Sequence, residues 1–318
     1  MKARAGERSA GTPVSAVSVG AHRAQQSEVT AQSAPQVSFE FFPPRDPVMA
    51  HLLRQSVRRL APLKPRFFSV TCGADGTARD GTGEVVAQLR SATGLETAPH
   101  LTCAGISRAE LMDLARGYWQ SGVRRVLALR GDLPGGAPPV RGGFQYAHEL
   151  VAALRGLADF DISVAAYPET HPEAASPAAD LDNLKRKIDA GAQRAITQFF
   201  FDTDAYLRFR DACVAAGVTA PIVPGILPIQ NVPQLLRFAR RCGATVPAAV
   251  VRRFEGLGPD LRTHRLVAAA VAIEQVQRLR RAGADAFHFY TLNRWQLSFA
   301  ICRAFGVGAA QSSGAAQS

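Results

Sequence analysis

Short apolar runs alternate along this chain with longer segments in which apolar residues recur every three or four positions. The short runs, bounded by Gly and Pro, predict β-strands, and the longer segments predict amphipathic helices. Eight strands are predicted, at about 36–42, 67–72, 98–102, 124–130, 161–167, 194–200, 221–226 and 285–290. A helical segment follows each strand, and the stretch from 231 to 282 has room for three helices.

Strict alternation of strand and helix is typical of a parallel sheet with right-handed crossovers. Eight units favour a closed α/β barrel, the (β/α)8 TIM barrel, over an open doubly wound sheet. No G-x-G-x-x-G motif follows the first strand, so a Rossmann dinucleotide site lacks its phosphate loop. Two helix starts carry clear signals: Ser107 and Glu110 form a capping box, and Ser176 precedes Pro177.

The barrel is predicted to be a single domain over residues 35–307, between two tails of low complexity. Residues 1–34 and 308–318 have few large apolar side chains, so we expect both tails to be disordered. No apolar stretch approaches the roughly 20 residues of a membrane helix. Five scattered cysteines indicate reduced thiols, a cytoplasmic location and no metal site.

The net charge of +11 raises the possibility of nucleic-acid binding. However, the arginines are spread over many predicted helices, and no compact basic block is interleaved with aromatic residues. Attraction of anionic small molecules explains the charge more simply. We therefore expect small-molecule partners and no nucleic-acid or membrane partner.

Polar residues stand at or just beyond the carboxyl ends of most predicted strands. They are Glu40, Thr71, His100, Arg130, Asp132, Tyr167, Gln198 and Tyr290. In a barrel these ends form one rim, where active sites are found. A lone histidine is more often structural than catalytic, and a lone glutamine can simply bond to backbone. Eight such residues on one rim predict an active site.

Glu40 lies among Phe39, Phe41 and Phe42. Aromatic surroundings desolvate a carboxyl group and favour its protonated form, which suits a general acid. The alternative is a carboxylate that pairs with an arginine across the barrel. We favour the acid.

A polar stripe follows strand five, with Asp180, Asn183 and Lys187 at helical spacing and Arg186 beside them. It is either a solvated helix face with ordinary ion pairs or a surface that binds a phosphate or ribose. The spacing alone does not decide between the two.

Eight motifs together resemble the methylenetetrahydrofolate reductase family. In chain order they are Phe39–Pro44, Ala98–Cys103, Leu129–Asp132, Ala165–Glu169, Asp189–Ala192, Thr197–Asp202, Pro224–Pro228 and His288–Arg294. The resemblance runs from about 36 to 307. It implies an FAD-containing barrel that reduces 5,10-methylenetetrahydrofolate to 5-methyltetrahydrofolate with NADH or NADPH, supplying methyl groups for methionine synthesis. It also implies the short bacterial type, which lacks a regulatory domain and forms homo-oligomers.

The resemblance assigns roles position by position. Glu40 and Asp132 are the catalytic residues, Glu40 as general acid and Asp132 as the group that orients folate and tunes the flavin. The implied flavin contacts are Thr71, Ala74, His100, Arg130, Gly131, Asp132, Ala147, Tyr167, His171, Asp180, Asn183, Arg186 and Lys187. The implied substrate contacts are Asp132, Gln198, Gln234, Phe238 and Arg294. Nicotinamide and folate would use one flavin face in turn, which gives ping-pong kinetics. Cys72 stands where the family commonly has tyrosine.

Two rival functions make different demands. A flavin-free aldolase or isomerase barrel needs a Schiff-base lysine at a strand end or a phosphate loop after strands seven and eight. Lys64, Lys185 and Lys187 fall on predicted helices or loops, and Pro224–Ile226 is a poor phosphate loop. A basic RNA-binding protein leaves the polar rim unexplained.

Overall fold

Parallel strands alternate with helices through the chain in the computed structural model, which describes residues 33–72, 79–131 and 140–309, with 79 and 80 by backbone alone. The strands are β1 Gln36–Phe41, β2 Phe68–Val70, β3 Thr97–Thr102, β4 Arg125–Leu129, β5 Asp161–Ala166, β6 Arg194–Thr197, β7 Ile222–Val223, β8 Gly225–Ile226 and β9 Ala286–Tyr290. The helices are α1 Pro47–Leu60, α2 Arg79–Thr93, α3 Arg108–Gln120, α4 Ala147–Leu157, α5 Pro177–Asp189, α6 Thr203–Ala215, α7 Val232–Cys242, α8 Ala248–Arg252, α9 Leu261–Arg281 and α10 Gln296–Ala304. The predicted tails lie almost entirely outside the described residues.

The strands pair in the order β7-β6-β5-β4-β3-β2-β1-β9-β8, all in parallel. The predicted seventh strand is split into β7 and β8 at Pro224, which has no N–H to donate. The carbonyl of Pro224 still accepts from the His288 N–H at 3.0 Å, so this segment closes the ring between β6 and β9. The predicted (β/α)8 barrel is confirmed.

The two faces of the strands build two separate apolar layers, because successive side chains on a strand point to opposite sides. Phe39 and Phe41 face outward, where they are fully buried with Phe68 beneath the surrounding helices. A smaller cluster lines the barrel interior and consists of Phe67, Ala98, Leu127, Ile196 and Val223. On β1 the alternate residues Ser38 and Glu40 therefore point into the barrel.

An ion-pair cluster lies at the amino-terminal mouth of the barrel. Arg125 lies 2.9 Å from Asp161, and Arg194 makes two hydrogen bonds to the same carboxylate. The Arg125 guanidinium also stacks 5.0 Å above the Phe67 ring. Burial lowers the pKa of Arg125, and Asp161 opposes that effect.

The predicted helix signals are confirmed. Ser107 and Glu110 form the capping box of α3, and Ser176 caps α5 with Pro177 in its first turn. Three helices, α7 to α9, occupy the stretch from 231 to 282. Among the described residues no helix is long and apolar enough to cross a membrane.

Candidate active site

Glu40 lies between two histidines at the carboxyl-terminal side of the barrel interior. Its Oε2 is 3.5 Å from Nε2 of His100 on β3 and 3.7 Å from Nε2 of His288 on β9. Both Nε2 atoms are buried and have no hydrogen-bond partner. The Glu40 side chain keeps 19% of its surface exposed, so the carboxyl group is open to a molecule in the barrel mouth.

Phe39 and Phe41 do not surround the Glu40 carboxyl group, contrary to the sequence-based expectation. Their rings lie on the other face of β1 and pack against Phe68 and Phe289. Nor does an arginine pair with Glu40 among the residues that the structure describes, where its ion-pair partners are His100 and His288. The alternation of side chains along β1 explains the position of the phenylalanines, and strands β3 and β9 supply the histidines.

His288 is a site residue that the sequence analysis did not select. It is fully buried, and its Nδ1 lies 2.7 Å from Oγ of Ser38, its partner in the β1–β9 register. Its ring stacks on Phe67 with centroids 5.9 Å apart. The sequence contained a signal for this residue. Ser38 and Glu40 are two residues apart on one strand, and His288 and Tyr290 are two residues apart on the other, so each pair lies on one face of its strand.

Burial controls the protonation of two groups beside Glu40. It lowers the pKa of His100 from 6.5 to about 4, although the Glu40 charge opposes this and His288 adds to it. Burial also raises the pKa of Tyr290 well above its ordinary value, and Glu40 raises it further. At neutral pH His100 is therefore uncharged, and the Tyr290 hydroxyl keeps its proton and donates it to the Thr197 carbonyl at 2.7 Å.

A second group of predicted residues lies on the rim beyond β2 and β4. The N–H of Thr71 donates to the Phe41 carbonyl at 2.9 Å. Gly131 has φ +79°, and a Cβ there would lie 2.9 Å from Cβ of Thr102. The Thr102 hydroxyl in turn lies 3.8 Å from the Cys72 thiol. Glycine at this position thus permits both the left-handed backbone and the close packing of Thr102 against it.

Arg130 and His171 belong to the same rim, between β4 and α5. Arg130 forms an ion pair with Glu173, and the Glu173 N–H donates to Nδ1 of His171 at 3.0 Å. The Tyr167 ring meets the His171 ring edge-on, with centroids 4.6 Å apart. The structure therefore brings these three predicted residues together.

The polar stripe on α5 is more than a solvated face. The Asp180 carboxylate accepts from the His171 N–H at 2.8 Å, and the Lys187 ammonium donates to the Ala165 carbonyl at 2.6 Å. Burial lowers the pKa of Lys187 to about 8, and Asp180 opposes the decrease. Asn183 is half-buried on the same helix, whereas Arg186 is exposed and pairs with Asp182 at 2.6 Å.

The predicted substrate residues lie on three elements. Gln198 follows β6, and its side-chain oxygen accepts from the Phe199 N–H at 3.0 Å. Gln234 and Phe238 are half-buried on α7, and Arg294 is exposed just after β9. No hydrogen bond or ion pair joins these four described side chains. Ala147 is the buried first residue of α4, and Asp132 and Ala74 lie outside the described residues.

Comparison with known proteins identifies the family of the chain. The model of the family "Methylenetetrahydrofolate reductase" matches residues 25–306. The chain belongs to the methylenetetrahydrofolate reductase family. The predicted resemblance is thereby confirmed.

Two relatives carry the name 5,10-methylenetetrahydrofolate reductase. The Pectobacterium carotovorum protein is 53% identical over 89% of this chain and 94% of its own length. The Escherichia coli protein is 52% identical with the same coverage of 89% and 94%.

A solved structure supports the fold of this family member. It is a Clostridium thermocellum protein that binds two copies of 5-methyl-5,6,7,8-tetrahydrofolic acid. The two folds superpose with a TM-score of 0.60 over 86% of this chain and 96% of the other. The sequence identity is 13%, so this likeness concerns the fold alone.

Proposed function

We propose that this member of the methylenetetrahydrofolate reductase family reduces 5,10-methylenetetrahydrofolate to 5-methyltetrahydrofolate, with FAD as cofactor and NADH or NADPH as donor. The observation that carries the proposal is the Glu40 carboxyl group, partly exposed at the barrel mouth between His100 and His288. A carboxyl group in that position can deliver a proton to a substrate at the rim.

The rim residues fit a flavin dinucleotide. Tyr167 and His171 offer ring faces and edges on this rim. Lys187 is a half-buried cation suited to a pyrophosphate. We assign the flavin to Thr71, Ala74, His100, Arg130, Gly131, Asp132, Ala147, Tyr167, His171, Asp180, Asn183, Arg186 and Lys187. When bound, FAD supplies the hydride chemistry, accepting a hydride from nicotinamide and passing it to the one-carbon unit of the folate.

Residues of the chain supply the proton that the folate takes up. Opening the five-membered ring of the substrate breaks the bond between N10 and the one-carbon unit, and N10 takes up one proton. Glu40 donates that proton. His288 contacts the Glu40 carboxyl group on one side and Ser38 on the other, so it orients the acid. Neutral His100 adds no positive charge beside the carboxyl group, and a positive charge there would oppose its protonation.

The substrates would bind to Gln198, Gln234, Phe238 and Arg294, which belong to elements around the open mouth. Asp132 would orient the folate and tune the flavin potential through its charge. Nicotinamide and folate use this space in turn, which gives ping-pong kinetics. We further propose that the enzyme is a cytoplasmic homo-oligomer.

An anaerobic flavin titration tests the proposal. The purified protein is supplied with FAD, then with NADH, then with methylenetetrahydrofolate, and its visible spectrum is followed. Bleaching by NADH and recolouring by the folate establish both half-reactions. A protein that binds no flavin overturns the proposal in favour of a flavin-free barrel. Bleaching without recolouring retains the flavoprotein and rejects the folate.

A further inference from the structure

The loop between β5 and α5, residues 167–176, contacts the carboxyl-terminal end of α7. Both carboxylate oxygens of Glu169 accept from the backbone N–H of Thr245, each at 3.1 Å. This pair is a direct polar link between the loop and the segment that follows α7, and we call it the Glu169–Thr245 clamp. A hydrogen bond to a charged carboxylate is stronger than one between neutral groups.

The same two segments fit closely beside the clamp. Helix α7 ends at Gly243, which has φ +69°. A Cβ at this position would lie 3.0 Å from Cγ of Pro172 and 3.3 Å from the carbonyl oxygen of Thr170. The glycine therefore serves two needs, the left-handed turn and the close approach of the loop.

The loop backbone is strained at the residue after Glu169. Thr170 has φ +73°, a conformation that β-branched residues rarely adopt. Such strain persists only where the surroundings hold the backbone, and it concentrates at functional sites. Here the clamp precedes the strained residue and the Pro172 contact with α7 follows it.

The two joined segments carry different parts of the proposed site. The loop carries Tyr167 and His171, and the His171 N–H is fixed to Asp180 on α5 at 2.8 Å. Helix α7 carries Gln234 and Phe238, the proposed substrate contacts. The clamp therefore connects the flavin side of the rim to the substrate side.

We infer that Glu169 is a positioning residue that holds α7 against the β5–α5 loop and so sets Gln234 and Phe238 over the flavin side of the rim. The inference rests on the proposed function. Glu169 contacts backbone and no reacting atom, so its effect is on substrate binding. Its loss should weaken the binding of folate and nicotinamide and leave the chemical step unchanged.

The test compares Glu169→Ala and Glu169→Gln with the parent enzyme, all loaded with FAD. We expect Glu169→Ala to raise KM for both substrates about tenfold and to change kcat by less than about twofold. This pattern is expected when a mutation removes binding energy that is equal in the ground state and the transition state. Glu169→Gln keeps an oxygen acceptor and should recover part of that loss. Glu255→Ala removes an exposed carboxylate near α8 and should leave KM unchanged.

Hydrogen exchange of the full chain supplies a readout that is independent of activity. Glu169→Ala should speed exchange in the peptide that contains Thr245 and in the loop peptide 167–176. Unchanged exchange and unchanged KM overturn the inference. Loss of FAD binding with normal KM also overturns it, because Glu169 then acts on the flavin loop alone. If the parent enzyme reduces no folate, the proposed function fails, and the exchange result still decides whether the clamp holds the two segments together.

Discussion

Oγ of Ser38 lies 2.7 Å from Nδ1 of His288, although 250 residues of sequence separate the two. They face each other across β1 and β9, the first and last strands of the ring. The contact fixes the imidazole whose other nitrogen faces Glu40. The acid is therefore oriented by the closure of the barrel.

Ser38→Ala should destabilise the protein by about 1–3 kcal/mol, because it leaves a fully buried histidine nitrogen without its partner. Urea unfolding measures the difference. Ser298→Ala is the matched control, since its hydroxyl is buried and already lacks a partner. It should be neutral or stabilising. Equal losses in the two variants would show that the Ser38 contact contributes nothing specific.

Glu40→Gln should slow folate reduction by about 10²–10⁴-fold, the usual contribution of a general acid. Reduction of the flavin by NADH needs no proton from Glu40 and should keep its rate. Stopped-flow spectroscopy measures the two half-reactions separately. Equal loss of both rates would remove Glu40 from the acid role and make it a flavin-site residue.

Lys187→Met should weaken FAD binding and remove its pH dependence. In the free protein the pKa of Lys187 is lowered to about 8 by burial, so the side chain loses its charge as the pH rises through that value. A neutral amine no longer attracts pyrophosphate, and FAD affinity should therefore fall above about pH 8. Fluorescence titration with FAD at pH 7 and 9 checks this. Lys185→Met, on the same helix, removes a partly exposed lysine that pairs with Asp189 and should retain the pH dependence.

His100→Gln should make the flavin-free protein more resistant to acid. The folded-state pKa of His100 is lowered from 6.5 to about 4, so between these values only the unfolded chain binds the proton. The free energy of unfolding therefore falls as the pH drops from about 6.5 to 4, by at most about 3 kcal/mol from this group. Urea unfolding at several pH values should show a shallower fall for His100→Gln than for the exposed-site control His51→Gln. An identical pH dependence of the unfolding free energy in the two variants would contradict the lowered pKa of His100.

Gly225→Ala should destabilise the barrel by about 3 kcal/mol or more, because overpacking here meets backbone that cannot move aside. A Cβ at position 225 would lie 2.1 Å from the Thr197 carbonyl oxygen and 2.7 Å from the Tyr290 ring. Gly117→Ala in α3 is the control, since a Cβ there meets nothing within 4 Å. It should stabilise the helix by about 0.5–1 kcal/mol. Thermal unfolding compares them, and similar stability in both variants would refute the packing argument.

Local pattern alone predicted most of the fold. Strand and helix periods depend on which side chains neighbouring residues carry, and this information is contained within each segment. The eight strand regions, the α3 capping box and the three helices after 231 were therefore predicted correctly. The motifs also identified the family. The expectation that active-site residues lie at the carboxyl ends of barrel strands selected Glu40 and His100.

The surroundings of Glu40 were decided only by the tertiary structure. Sequence neighbours suggested phenylalanines, but alternation along β1 turns Phe39 and Phe41 outward. The carboxyl group instead lies beside His100 from β3 and His288 from β9. Closure of the barrel places these strands around β1. Likewise, the contact of Glu169 with Thr245 joins segments 76 residues apart. Alternation within a strand gives the face on which a side chain lies, but its partner depends on strand order and register, which arise from packing of the whole barrel.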